Sequence, residues 1–398
     1  MNLQKNEHSL EAPSFSAFFT RDFSLLFLAH FFFASAVWPY VLFPVHLIGF
    51  GANPFSVGIF IAGASVSSIL VRPFVGHQID HQGRRTFLLI GGIIFLFTHL
   101  FYLLPNRLGA ALFAVRLLHG LGTGILMATF FTLGADLSPP ARRVSGIAIF
   151  GISGQLSGAL SVFLGEKIVA TYGFPSFFIF CAVISGISLL FSSFIRETVN
   201  EKPDPARRLL WKRALTPTLR IPFLTTFLFS MGITSYIVFL KPYTQTLGLT
   251  NVSNFFLAYT VSAITVRLVG LDYCDRYGPK AVLYPALSSL VVGILLIIIL
   301  PGTGGLIISG IFCGFGHGWV FPALSSIVIS RGGESYRGGF MTLYTLVFDF
   351  GALLGSPLLG LLVSGLNYTI IYIMAAALVL LGMVSLYFFD REPTRTEE

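Results

Sequence analysis

The chain is a succession of apolar runs, each long enough for a helix to cross the roughly 30 Å hydrocarbon core of a bilayer, which takes about 17–25 residues. Twelve spans are predicted, at about 23–46, 56–76, 86–104, 108–131, 144–167, 174–195, 220–240, 252–271, 280–299, 304–329, 338–362 and 368–389. Turn residues punctuate the gaps, among them Asn53-Pro54, Pro105-Asn106, Pro139-Pro140, Pro301-Gly302 and Asn367. In lipid every backbone N–H and C=O needs a partner within the protein. Without the short alternating segments of a barrel only helices supply one, so an all-α membrane protein with twelve transmembrane helices is expected. The first run is too long for a cleavable signal and is expected to act as both first span and insertion signal.

Composition sharpens the choice of solvent. Residues of the hydrophobic set make up 55% of the 398, 41 glycines come on top, and only 11% are charged, where a soluble domain has about 25%. This excludes a soluble enzyme, a disordered chain and a collagen-like fibre. The formal charge of +8 therefore bears on membrane orientation rather than on nucleic acid. An even number of spans puts both termini on one side. If that side is the cytoplasm, 19 of the 25 Lys and Arg lie inside, against Arg107, Lys167 and Lys241 outside, so both termini are expected in the cytoplasm. The three cysteines, Cys181, Cys274 and Cys313, have no metal-ligand spacing, and no two histidines are placed as His-x-x-x-His; no metal site is expected.

The longest polar stretch, in 196–218, divides the chain into two sets of six spans. The expected units are a first half at 1–195, a cytoplasmic linker at 196–219 and a second half with a short tail at 220–398. Within the linker, "LLW" between basic pairs reads as a short helix lying in the headgroup layer. The halves echo each other. "VRPFVGHQIDHQGRR" ends span two and "VRLVGLDYCDRYGPK" ends span eight, with Arg72, Asp80 and Gly83 each 195 residues before Arg267, Asp275 and Gly278. Gly120, Gly122 and Gly124 likewise fall 194 before Gly314, Gly316 and Gly318. Two similar bodies around one site suit a rocking transporter.

These same segments carry a family resemblance. Gly76-His-Gln-Ile-Asp80-His-Gln-Gly83-Arg84-Arg85 resembles the signature of the major facilitator superfamily between helices two and three. Asp275-Arg276-Tyr277-Gly278-Pro279-Lys280 is similar to its weaker second copy. Arg116-Leu-Leu-His119-Gly120-Leu-Gly122 resembles the helix-four signature, with His119 in place of a Gln, and "DLSPPARR" and "RET" fit the same family. Within it the wording is most like bacterial sugar and drug efflux permeases. The helix-five Gly-Pro-x-x-Gly of proton antiporters is absent from 151–166, while helix eleven reads "LLGSPLLG", which leaves export and antiport open.

Candidate residues follow from charge in lipid. Asp349 is the one carboxylate deep within a predicted span and Arg116 sits well inside another; a proton carrier needs such an acid, and the resemblance implies a coupling role for Arg116. His119 and His317 lie in the repeated glycine segments and are relay candidates, and the glycines of span ten leave backbone that a substrate could approach. Glu166 and Asp22 sit near helix ends, where a charge reaches the headgroups. Asp80, Arg84, Arg85, Asp275, Arg276 and Lys280 are expected at the inner surface, where the resemblance implies a gate latch. Trp38, Tyr40, Tyr236 and Trp319, with Arg116, are cavity candidates. With no phosphate loop for ATP and no cofactor motif, the expected function is alternating-access transport in a bacterial inner membrane. The expected partners are protons, membrane lipids and a small neutral, amphipathic or singly charged organic substrate, with the protein monomeric. An importer or facilitator, and a receptor or lipid-binding scaffold that completes no transport cycle, are the alternatives.

Overall fold

The computed structural model describes residues 20–138, 143–198, 216–332 and 337–390; within the helices, the side chains at 76–77, 80–82, 143–145, 147–148, 270–276 and 337–338 lie outside the described part. The described residues are all-helical. In chain order the helices are α1 (Arg21–Val37), α2 (Phe43–Gly49), α3 (Pro54–Gln82), α4 (Arg84–Phe101), α5 (Ala110–Asp136), α6 (Arg143–Ser193), α7 (Pro217–Thr246), α8 (Ser253–Tyr277), α9 (Pro279–Ile299), α10 (Thr303–Gly332), α11 (Arg337–Gly365) and α12 (Tyr368–Phe389). A tight 3-10 turn, Trp38–Leu42, carries α1 into α2, with Pro39 and Pro44 on either side of the change of pitch.

Among the described residues ten helical stretches are long and apolar enough to cross a membrane, and Ser253–Val269 adds a shorter apolar one. The longest, α6, has 51 residues. At 1.5 Å per residue that is more than twice the thickness of a bilayer core. It is two helices run together: Gly173 leaves helical geometry at φ 77° and ψ 179°, a backbone conformation open to glycine, and Pro175 follows. Phe74, Val269 and Phe388 stand exposed on the perimeter, a surface suited to lipid.

Local sequence sets the helix starts. Asn53 Oδ1 accepts from Ser56 N at 2.8 Å and Asn367 Oδ1 from Ile370 N at 3.1 Å, each satisfying an orphan donor of the first turn. Pro54, Pro217 and Pro279 occupy first-turn positions, where no amide hydrogen is missed. Gly83 and Gly278, repeat mates, make the sharp turns from α3 to α4 and from α8 to α9 at φ +98° and +82°.

Helices α1–α6 pack largely on one another and α7–α12 do the same. The glycine echo becomes one packing rule used twice. Gly120 and Gly124 seat against Ala64 and Ser68 of α3, and Gly314 and Gly318 seat against Tyr259 and Ala263 of α8; a Cβ at any of the four would overlap its neighbour. This corrects one expectation: the span-ten glycines Gly310, Gly314, Gly316 and Gly318 are filled by the backbones of α8 and α9 and offer no bare surface to a substrate. The two ends of the bundle differ. One gathers Arg21, Arg84, Arg85, Arg196, Lys280 and Arg331 and is the basic end; the other holds Asn53, Glu166 and Lys241 and is the far end.

Candidate functional site

Two seams join the helix sets, α3 against α11 and α6 against α8, both antiparallel. The first is tight toward the far end. A Cβ at Gly58 would overlap Ser356 and Pro357, one at Gly360 would overlap Pro54, and Phe55 N donates to Ser364 Oγ at 3.1 Å. The second seam closes on Glu166 of α6. Its Oε1 accepts from Val252 N and its Oε2 from Ser253 N, both at 2.9 Å, at the start of α8, and Lys241 of α7 lies 2.5 Å from Oε1. A carboxylate across the positive end of a helix and against an ammonium is a strong charge-assisted cap. Beside it Trp38 reaches across to Phe256 and Tyr259, with ring centroids 6.2 and 6.1 Å apart, while its Nε1 donates to Gly154 O at 2.8 Å.

Further into the bundle one ion pair crosses the first seam. Arg72 Nη2 lies 2.6 Å from Asp349 Oδ2, with 8% and 21% of the two side chains exposed. Arg72 is 18 residues, about 27 Å, into α3 from its far end, and Asp349 is 12 residues, about 18 Å, into α11 from its basic end. Arg72 Nε and Nη1 are buried without other partners, so the pair rests on one carboxylate.

Arg116 and His119 are held inside the first set. Arg116 Nε donates to Phe60 O at 3.2 Å, and its guanidinium lies over Phe43 and Tyr40, 5.0 and 5.7 Å from the ring centroids. His119 packs 4.4 Å from the Tyr40 ring and 5.6 Å from His99, with its Nδ1 unpartnered. In the second set His317 Nδ1 and Tyr259 Oη are 2.6 Å apart. Tyr236 is fully buried beside Phe255 and Tyr259. Trp319 lines an apolar groove of about 950 Å³ with Val261, Thr265 and Pro285. Thus the five cavity candidates divide: Trp38 stands at a seam, Tyr40 and Arg116 lie within the first set, and Tyr236 and Trp319 within the second.

At the basic end several charges pair within their own set. Arg84 pairs with Asp136, and Glu197 accepts from Arg84 N at 2.9 Å and Arg85 N at 3.0 Å, capping α4. In the second set Asp390 takes two bonds from Arg331, at 2.6 and 2.8 Å, and lies 2.9 Å from Lys280. The side chains of Asp80, Asp275 and Arg276 lie outside the described residues.

Burial alone would push the Asp390 carboxyl up, but hydrogen bonds and charge from Arg331 and Lys280 outweigh it and hold the group below the ordinary carboxylate value. A folded value below the unfolded one, about 3.9, means stabilisation that is present above about pH 4 and lost as pH falls through the folded value. Asp390→Asn should therefore lower Tm at neutral pH and show a smaller further drop on acidification than wild type. Parallel melting curves with the same acid drop would refute this.

Arg72 and Glu166 are the residues that sequence reasoning missed as site residues. Arg72, within span two, had a signal, its recurrence as Arg267, but that recurrence names no partner. Glu166 had none, because a helix-end acid facing headgroups and one turned inward look alike in sequence.

Ten apolar helical stretches among the described residues and two seams, each crossed by an ion pair, describe a multi-pass membrane protein of two packed sets. The chain matches the model of the Major Facilitator Superfamily over residues 23–339 and 273–398 and belongs to that family, a superfamily of transporters rather than enzymes. It is 22% identical over 343 residues to an uncharacterized MFS-type transporter, STM4428, of Salmonella typhimurium, covering 84% of this chain and 87% of that one. It is 21% identical over 356 residues to the quinolone resistance protein NorA of Staphylococcus aureus, covering 85% and 89%. The crystal structure of the human organic anion transporter MFSD10 superposes with a TM-score of 0.70 at 20% identity, covering 92% of this chain and 99% of that one. The protein is thus a secondary-active transporter of a small organic solute, related to bacterial efflux permeases.

Proposed function

We propose that the protein exports a small organic compound across a bacterial inner membrane in exchange for protons, by alternating access between two six-helix halves. The halves are α1–α6 and α7–α12, twelve crossings in all with α1 and α2 counted as one and α6 as two, and 199–215 lies within the linker between them. The basic end and both termini face the cytoplasm, in keeping with the charge bias. The far-end contacts at Gly58, Gly360 and Glu166 hold that end closed and support an inward-facing form.

The observation that carries the reading is the Arg72–Asp349 pair. Asp349 sits on one half and its cation on the other, so protonating the acid removes one charge from the seam along which the halves must slide. A proton taken up in one facing state and released in the other ties the gradient to the motion. Asp349 is the proton site and Arg72 its partner. Arg116, His119 and His317 keep the helices beside the seams in register. Asp80, Arg84, Arg85, Asp275, Arg276 and Lys280 form the cytoplasmic latch when the inner ends meet. The names borne by NorA and MFSD10, a quinolone resistance protein and an organic anion transporter, support an organic drug-like cargo and export.

The test is substrate-dependent proton movement in proteoliposomes with a pH-sensitive dye inside. Dye response that follows added organic cargo is the expected result, and cargo exchange with no proton flux would remove the coupling. The orientation has its own check. Reporter fusions after Glu201 and Glu398 should both report the cytoplasm, and a periplasmic signal from either would overturn the topology.

A further inference from the structure

Arg72 and Arg267 are repeat mates, yet only Arg72 has a carboxylate. The packing glycines Gly154 and Gly158 of α6, set against His30 and Trp38, lie 197 residues before Gly351 and Gly355 of α11, set against Ser230 and Met231, and that shift carries Asp349 onto Ile152. The second seam thus has the cation of the first and an apolar side chain where the first has its acid. Arg267 Nη1 lies 3.6 Å from where a Cβ on Gly151 of α6 would stand, so the guanidinium reaches the opposite half. Its Nε turns instead to Gly318 O of its own half, at 3.0 Å. Among the described residues no carboxylate pairs with it, and its terminal nitrogens carry no hydrogen bond from the protein. Gln155 stands one turn beyond Gly151 on the same face, 8% exposed, with its Oε1 buried and unpartnered.

A guanidinium held this deep in a membrane protein needs a counter-charge or water. Arg116, with its Nη1 buried and unpartnered, is covered by the faces of Tyr40 and Phe43 and a carbonyl within its own half, away from the seam, while Arg267 is half-buried and stands at the seam. We infer that Arg267 is an anion-binding residue of the transport path, and that the cargo carries a single carboxylate or similar anionic group that takes at the second seam the place Asp349 takes at the first. Gln155 suits this role, because its amide donates to an anion without neutralising Arg267. The assignment rests on the transport reading above and narrows its substrate class to organic monoanions.

The probes are cinnamate, cinnamyl alcohol and cinnamylammonium, which share one body and differ in charge. They are added to the purified full chain in nanodiscs, and Tm is followed against concentration. Cinnamate should raise Tm more than the alcohol or the cation. In Arg267→Gln its apparent affinity should fall about tenfold or more, and Arg267→Lys should recover part of it. Gln155→Asp, which places an acid one turn from Gly151 on the face that Arg267 approaches, should raise Tm without ligand and abolish the cinnamate shift, a result that does not depend on Arg267→Gln folding. A cinnamate shift no larger than that of the alcohol in wild type, or equal in wild type, Arg267→Gln and Gln155→Asp, overturns the assignment. Failure of proton movement in proteoliposomes while the charge-selective shift persists would sink the coupling reading and leave the anion site standing.

Discussion

Asp349→Asn should abolish accumulation of cargo against a gradient while leaving exchange of cargo between the two sides of a proteoliposome measurable. Asparagine keeps the shape and can still accept from Arg72, so the seam can form, but the group no longer takes up or loses a proton. The substitution also leaves the Arg72 charge uncompensated in the bundle, with two of its nitrogens already unpartnered. Removing one partner of a buried pair destabilises by about 3–5 kcal/mol, and the retained hydrogen bond should bring Asn below that range. Arg72→Gln should be as inactive in uphill transport. The double variant, with both charges gone, should melt higher than Asp349→Asn alone, because a neutral pair carries no uncompensated charge. Uphill transport by Asp349→Asn with the pH dependence of wild type would remove this acid from the proton path. Single-variant stability losses that simply add in the double would show that Arg72 and Asp349 are not coupled.

The all-helical, membrane-spanning fold was legible because lipid imposes a length on every span. The glycine echo was legible too, and its meaning is geometric: Gly120 and Gly314 recur because each lets one helix backbone approach another at the same place in its half. What the echo could not show is which helices meet. The partner of Asp349 depends on α3 and α11 lying side by side, although 277 residues separate Arg72 from Asp349, and no local pattern encodes that. Charge scarcity singled out Asp349 and Arg116, yet the two do not meet: Arg116 is held by Phe60, Tyr40 and Phe43 within its own set, and Asp349 pairs with Arg72. Placing Arg84 and Arg85 at an inner surface followed from charge alone; that Glu197 would cap both their amides required a turn whose Gly83 leaves no room for a Cβ beside that carboxylate.

Glu166→Gln should open the far end. Three donors converge on the carboxylate, two backbone amides of α8 and the Lys241 ammonium, and it ties the halves together at the second seam. Glutamine offers one acceptor oxygen and no charge, so it can satisfy one or two of the donors and pair with none of the cation. Hydrogen bonds to a charged group contribute about 1.5–3 kcal/mol each, and losing about 3 kcal/mol from one facing state moves the balance roughly a hundredfold toward the other. The first seam reports that shift. In a chain stripped of its three native cysteines, Ser356→Cys is close to isosteric and sits buried against Gly58. Labelling of this cysteine by a membrane-impermeant maleimide from the far end should be slow with Glu166 present and much faster with Gln. Lys241→Met should have a smaller effect, because the carboxylate keeps both amides of α8 when the ammonium is gone. If Glu166→Gln leaves the labelling rate unchanged, the acid caps α8 and nothing more, and closure of the far end then rests on the glycine contacts of α3 and α11.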